Sequence, residues 1–153
     1  MLFDTHAHMN DPAFDADRDS LLASLPEQGV GLMTNIGCCL ASSRDCSAMA
    51  EKYAHVYATV GSHPDSANEV NEDVLEEYRK LCKLNPKIKA IGEIGLDYYY
   101  EDVPREIQTK AFVMQLELAK ELGMPVVVHE RDAHQDGMDI IRQYPGITGV
   151  FHC

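Results

Sequence analysis

Short apolar runs recur along the chain, at residues 2–3, 31–36, 56–60, 88–91, 126–128 and 149–151. They are rich in Val, Ile and Leu and predict strands. The longer segments between them repeat their apolar residues every three or four positions, which predicts helices. The first helix is expected to open at Asp11-Pro12, with Asp11 as N-cap and Pro12 in the first turn. Leu21, Leu22 and Leu25 form its apolar face, and Gly29 supplies the stop. A second helix is expected to follow Ser42 or Ser43, with Cys46, Met49, Ala50 and Tyr53 along one side. A third covers 71–84, with Val74, Tyr78 and Leu81 inward, and ends before Asn85-Pro86. The fourth has the clearest stripe, Ile107, Ala111, Met114, Leu118 and Leu122. Pro104 stands at its start, and Gly123 and Pro125 mark its end. A fifth covers 133–143 and stops at Tyr144-Pro145-Gly146.

The resulting order is a β-α unit repeated five times, then a sixth strand. Such alternation predicts a parallel sheet covered by helices. A doubly wound open sheet and a (β/α) barrel both satisfy it.

The placement of chemistry separates the two. His6 and His8 follow the first predicted strand, His63 follows the third, Glu93 ends the fourth, His129 ends the fifth and His152 ends the sixth. Functional residues of parallel α/β folds collect at the carboxyl ends of strands. A closed barrel turns every such end toward one mouth, whereas an open sheet holds its first and sixth strands apart. Contributions from five strands therefore favour a barrel, here an incomplete one of about five β-α units plus a sixth strand. The expected organisation is a single domain over 1–153, cut short of the about 250 residues of a full barrel.

His6 and His8 are two apart, so in an extended segment they point to one face and can reach one cation. Imidazole with carboxylate suits zinc, manganese or iron, while magnesium prefers more oxygen. Glu93 lies in Ala90-Ile91-Gly92-Glu93-Ile94-Gly95-Leu96-Asp97-Tyr98. A carboxylate among apolar residues and glycines needs a buried partner, either a cation or a core Arg. His129 closes Pro125-Val126-Val127-Val128-His129, as a ligand or as a satisfied core histidine. Arg131 beyond it could grip a phosphate with its fork of donors or pair with an acid. For His63, in Gly61-Ser62-His63-Pro64, substrate contact is favoured over metal ligation. His55 and His134 are assigned no role.

The net charge is −12 over 153 residues. That argues against a broad basic nucleic-acid surface but not against a phosphate substrate, since bound cations supply local positive charge. Any DNA contact is expected to be weak and local. The acidic run Glu69, Glu72, Asp73, Glu76 and Glu77 reads as a solvated helix face. The five cysteines, Cys38, Cys39, Cys46, Cys82 and Cys153, are odd in number and lack a C-x-x-C pair, which fits a reduced chain. Cys46 and Cys82 read as small buried hydrophobes. No run approaches a membrane helix, the start lacks the pattern of a signal peptide, and the default location is the cytoplasm.

Together these residues resemble the TatD family of metal-dependent hydrolases. Phe3-Asp4-Thr5-His6-Ala7-His8 is similar to the family's opening DTHxH, and Gly61-Ser62-His63-Pro64 to its GxHP. Gly92-Glu93-Ile94-Gly95-Leu96-Asp97-Tyr98 is similar to GEIGLDY, 129–133 to HxRDA, and Phe151-His152-Cys153 to the start of FHCFSG. The resemblance implies a TIM-type barrel and metal-dependent hydrolysis, typically of DNA phosphodiesters from an end. It also implies two divalent ions (Zn, Mn or Mg). His6, His8 and Glu93 would hold one, and Glu93, His129 and His152 the other, with Glu93 bridging. A further Asp ligand would come from a later strand, beyond residue 153. Glu93, His63 and Arg131 would be the catalytic and phosphate-orienting groups. Glu130 departs from the small residue often found there, and it is expected to add negative charge near the phosphate. An amidohydrolase-like enzyme acting on an ester or amide would carry a similar centre. An inactive fragment lacking the final ligand, with exposed first and sixth strands open to self-association, is the reading from another class.

Overall fold

Strand and helix alternate as the apolar pattern requires. In the computed structural model, which describes residues 1–152, the elements are β1 (Leu2–Ala7), α1 (Arg18–Ser24), β2 (Val30–Asn35), α2 (Leu40–Lys52), β3 (Val56–Val60), α3 (Glu72–Leu84), β4 (Ile88–Asp97), α4 (Arg105–Leu122), β5 (Val126–Arg131), α5 (His134–Ile141) and β6 (Gly149–His152). Cys153, the last residue of the Phe151-His152-Cys153 motif, lies outside the described residues.

The six strands pair in chain order, β1-β2-β3-β4-β5-β6, and every pairing is parallel. A doubly wound sheet reverses its order at a switch point; this sheet never does. Strands stand about 4.8 Å apart in a sheet, so five steps would separate β1 from β6 by roughly 24 Å if the sheet were flat. Instead the rings of His6 on β1 and His152 on β6 lie 4.0 Å apart, centroid to centroid. The sheet is therefore curled into a half-barrel, and its carboxyl ends lean over a common mouth.

Helices cover the convex side. Cys46 and Ala50 of α2, Leu75 and Tyr78 of α3, and Phe112 and Leu116 of α4 join Val56, Ala58, Ile91 and Ile94 of the strands in one buried core. The outer strands are bare by comparison, with Leu2, Phe3, Val150 and Phe151 exposed. Unpaired strand edges with apolar side chains are surfaces on which a further strand can add.

Several boundaries differ from the sequence expectation, each for a local reason. Asp11 and Pro12 do cap a turn, but it is a short 3₁₀ turn, Pro12–Phe14. The α-helix starts only at Arg18, whose guanidinium folds back onto the carbonyls of Met9 and Asp11 (2.5 and 2.9 Å). α2 begins at Leu40 rather than after Ser42, because Cys39 and Ser42 form a reciprocal cap. β4 runs on to Asp97, so Glu93 lies inside it rather than at its end.

On α4, Ile107 is exposed while Gln108 and Gln115 are buried. Both glutamines serve backbone that no strand or helix satisfies. The Gln115 carboxamide accepts from the Ser62 amide (2.7 Å) and donates to its carbonyl (3.0 Å). Gln108 does the same for Asp97, at 2.9 Å each way. Glu69 is likewise no solvated charge. Its carboxylate accepts from the Leu40 amide, at the start of α2, and from the Ser62 hydroxyl (2.9 and 2.8 Å). Of the two cysteines expected to be buried, Cys46 is, and Cys82 is only half-buried.

Candidate metal centre

Glu93 organises the mouth. Its side chain is 4% exposed, and its two oxygens face different histidines. Oε2 lies 3.4 Å from His6 Nε2 and 3.6 Å from His8 Nε2. Oε1 lies 2.7 Å from His152 Nε2, 3.0 Å from His129 Nδ1 and 3.7 Å from His63 Nε2. His6 and His8 approach each other to 3.1 Å through their Nε2 atoms, as expected for positions two apart on extended backbone.

Two glycines let β4 come close enough to its neighbours to present Glu93. A Cβ at Gly92 would stand 2.6 Å from the Cβ of Val127 on β5. Gly95 has φ +142°, and a Cβ there would stand 2.0 Å from the carbonyl oxygen of His129. No side chain fits either place.

Neighbouring groups settle which imidazole nitrogen is free. His8 Nδ1 lies 3.3 Å from the Ile36 carbonyl and donates to it, so Nε2 keeps its lone pair. His129 Nε2 donates to Asp97 Oδ2 at 3.0 Å, leaving Nδ1 as an acceptor. Among the described residues, His129 Nδ1 and His152 Nε2 are buried without a hydrogen-bond partner, although both lie beside Glu93 Oε1. Buried polar atoms of this kind call for a partner.

A cation fits that requirement. Ligand atoms bonded to one ion at about 2.0–2.2 Å sit roughly 3 to 3.6 Å apart. The His6–His8–Glu93 separations of 3.1, 3.4 and 3.6 Å match. Among the described residues, three donor sets meet the spacing needed around an ion: His6, His8 and Glu93; Glu93, His129 and His152; and His63, Asp97 and His129.

The charges are arranged to match. Burial pushes the Glu93 carboxyl up, but His129, His152 and His6 around it prevail and hold it well below the usual carboxylate range. Burial lowers His129, yet contact with Glu93 and Asp97 overcomes this and raises it above 6.5. His8 is lowered, mainly by burial, which favours the neutral, ligating form.

The candidate residues thus divide. His6, His8, Glu93, His129 and His152 converge, and His63 joins them at their edge, held by Ser62 within the Gln115 clasp and by its own contact with Asp65. Arg131 stands outside the cluster. Its guanidinium lies over the Tyr99 ring, Cζ to centroid 3.6 Å, and among the described residues no carboxylate pairs with it. Glu130 turns away from the mouth, accepting from the Ala133 amide (2.7 Å) and contacting His134 at the start of α5. Its charge is spent on that helix terminus and not on the site.

Asp97 was not singled out from the sequence, although a signal was present. It lies four residues after Glu93 on the same strand, hence on the same face, and ends an otherwise apolar segment. Cys38 was also missed. Its thiol lies 3.7 Å from Glu93 Oε2 and 3.6 Å from His8 Nδ1.

Comparison with known proteins agrees with this architecture. The family model described as "TatD related DNase" matches residues 3–153. The chain is 34% identical to the "Uncharacterized metal-dependent hydrolase YabD" of Bacillus subtilis, over 100% of this chain and 60% of that protein. It is 33% identical to the "3'-5' ssDNA/RNA exonuclease TatD" of Escherichia coli, over 99% of this chain and 59% of that protein. The crystal structure of the TatD homolog YjjV from E. coli superposes with a TM-score of 0.84 at 31% identity, covering 93% of this chain and 55% of the other. The chain spans about 60% of the length of the curated relatives it matches. With the family model covering nearly every residue, this chain belongs to the TatD-related DNase family of metal-dependent hydrolases.

Proposed function

We propose that the centre holds two divalent cations and hydrolyses DNA phosphodiester bonds from a 3' end. The observation that carries this reading is the division of Glu93, whose two oxygens face separate groups of imidazoles, His6 and His8 on one side and His129 and His152, with His63 farther off, on the other. His6, His8 and Oε2 would hold one ion; His129, His152 and Oε1 would hold the other. Such ions supply Lewis acidity toward the phosphoryl group and an activated water.

The chain's own residues do the rest. Asp97 fixes the His129 tautomer through Nε2, and the Ile36 carbonyl fixes His8. Second partners of this kind orient metal-binding imidazoles and raise their basicity. His63, at the edge of the cluster, and Arg131, at the rim, would orient the phosphate. Arg131 suits that task because its donors are not tied to a carboxylate. The exonuclease name of the E. coli relative supports phosphodiester over ester or amide bonds.

The test is Glu93→Gln, which keeps the size and removes the bridging charge. Metal content of the purified chain and release of nucleotide from an end-labelled oligonucleotide are measured together. Two ions in the wild type, with loss of both ion uptake and turnover in the variant, is the expected result. Retained turnover in the variant, or wild-type turnover of amide and ester substrates alone, would overturn the reading.

A further inference from the structure

Beyond the cation cluster, the mouth opens into a cavity of about 370 Å³. His63, Asp65, Asp97, Tyr100, Asp102 and Gln108 line it. That volume lies within the range of small-molecule sites, roughly 300–1,000 Å³. Three carboxylates and no Arg or Lys line it, so a phosphate is repelled from it. A group that enters favourably offers hydrogen-bond donors and carries no negative charge.

Above the cavity stands a pair of aromatic rings with no core role. Tyr99 and Tyr100 are each 56% exposed. Their ring centroids lie 4.8 Å apart with planes at 87°, an edge-to-face pair. Arg131 lies over Tyr99 at 3.6 Å and near Tyr100 at 5.2 Å. The pair is anchored to the metal centre. Asp97 Oδ1 accepts from the Tyr99 amide (2.9 Å), while Oδ2 of the same carboxylate holds His129.

We propose that Tyr100 is a stacking platform for an unpaired nucleobase next to the cleaved bond, with Arg131 meeting the adjoining phosphate. The proposal rests on the phosphodiesterase reading and deepens it. The base lies on Tyr100 at the lip of the acidic cavity, where its amino groups and the sugar hydroxyls meet Asp65 and Asp102. The scissile phosphate then reaches the cations, and Arg131 provides the positive charge that the −12 body lacks. Stacking is indifferent to base identity because every base has a π face.

The test uses the full chain loaded with divalent metal and two single-stranded oligonucleotides with a non-hydrolysable phosphorothioate terminal linkage. One carries a normal terminal nucleotide and the other an abasic one. Binding is read by fluorescence anisotropy, and cleavage is read on matching oligonucleotides with ordinary linkages. Wild-type protein is expected to bind the base-bearing end about 10-fold more tightly. Tyr100→Ala is expected to lose that preference, and Tyr100→Trp to keep it. Equal wild-type binding of the two ends alongside cleavage overturns the platform and leaves the phosphodiesterase reading standing. Full preference retained in Tyr100→Ala also overturns it. Absence of both binding and cleavage of either end by the wild type overturns both proposals together.

Discussion

Asp97 and His129 are joined by a 3.0 Å hydrogen bond that links two neighbouring strands of the mouth, β4 and β5. The bond sets which His129 nitrogen faces Glu93. It also ties the centre to the loop carrying Tyr99, through the other oxygen of the same carboxylate. One buried side chain thus positions both a candidate ligand and the rim.

Asp97→Asn tests this positioning. An amide offers one oxygen, which cannot accept from both the Tyr99 amide and His129 Nε2. Its NH₂ must then face one of those donors. Loss of such a supporting partner costs roughly 10–100-fold in metal affinity. Competition with a chromophoric chelator should show that weakening, and urea unfolding of the metal-free protein should show a loss of about 1–3 kcal/mol from the donor left facing the NH₂. Unchanged affinity would mean that His129 needs no orienting partner.

The metal-free centre should also leave a signature in stability against pH. Glu93 titrates below its ordinary 4.5, so its contribution is present above about pH 4.5 and is lost as pH falls through the depressed folded value. His129 titrates above its ordinary 6.5, so its contribution is full below about pH 6.5 and is lost as pH rises through the raised folded value. The pair therefore stabilises most between those limits. His8, lowered by burial, acts in the opposite direction but is common to wild type and a His129→Gln variant. The stability difference between these two proteins, measured by urea unfolding with chelator present, should peak between about pH 4.5 and 6.5 and narrow on either side. A flat difference would contradict the ion-pair account. Added metal should remove the alkaline decline, because a cation needs the neutral imidazole.

Much of this arrangement was legible in the sequence because it depends on short-range pattern. His6 and His8 share a face by strand geometry alone. Each remaining candidate follows an apolar run, and parallel connectivity brings those run ends together. What escaped was whatever depends on long-range hydrogen bonding. Gln108 and Gln115 are polar letters within a helical stripe, and only the three-dimensional path of β4 and the Ser62 turn shows that they face inward. Glu69 sits in a row of acids indistinguishable by composition, yet its carboxylate reaches across to the first amide of another helix, α2. For Arg131 the sequence left a phosphate grip and pairing with an acid both open, and its seat on Tyr99 was not legible.

Gln115→Met separates packing from polarity at one of these positions. Methionine fills similar space but leaves the Ser62 amide and carbonyl without their partner in a buried setting. A buried unsatisfied group costs about 1–3 kcal/mol. Urea unfolding should show a loss of that order. Because His63 follows Ser62 directly, turnover at saturating metal should fall as well. Stability equal to wild type would show that water reaches the Ser62 backbone.

Glu69 gives the sharpest contrast between charge and hydrogen bonding. Its Oε1 accepts from the Leu40 amide at the amino end of α2 and from Ser62 Oγ, which is in turn 2.7 Å from the Tyr78 hydroxyl. Glu69→Gln keeps an acceptor oxygen for both donors and removes only the charge that favours a helix amino terminus, an effect of about 0.3–1 kcal/mol. Glu69→Ala removes the acceptor too. It strands the Leu40 amide and the Ser62–Tyr78 pair, adding roughly another 1–2 kcal/mol. The two variants should therefore fall in that order by urea unfolding, with Ala clearly the less stable. Salt should narrow the gap between wild type and Gln but not the gap between Gln and Ala, since screening acts on the charge and not on the missing acceptor. Equal losses in both variants would assign the whole effect to charge and dismiss the hydrogen-bonded cap.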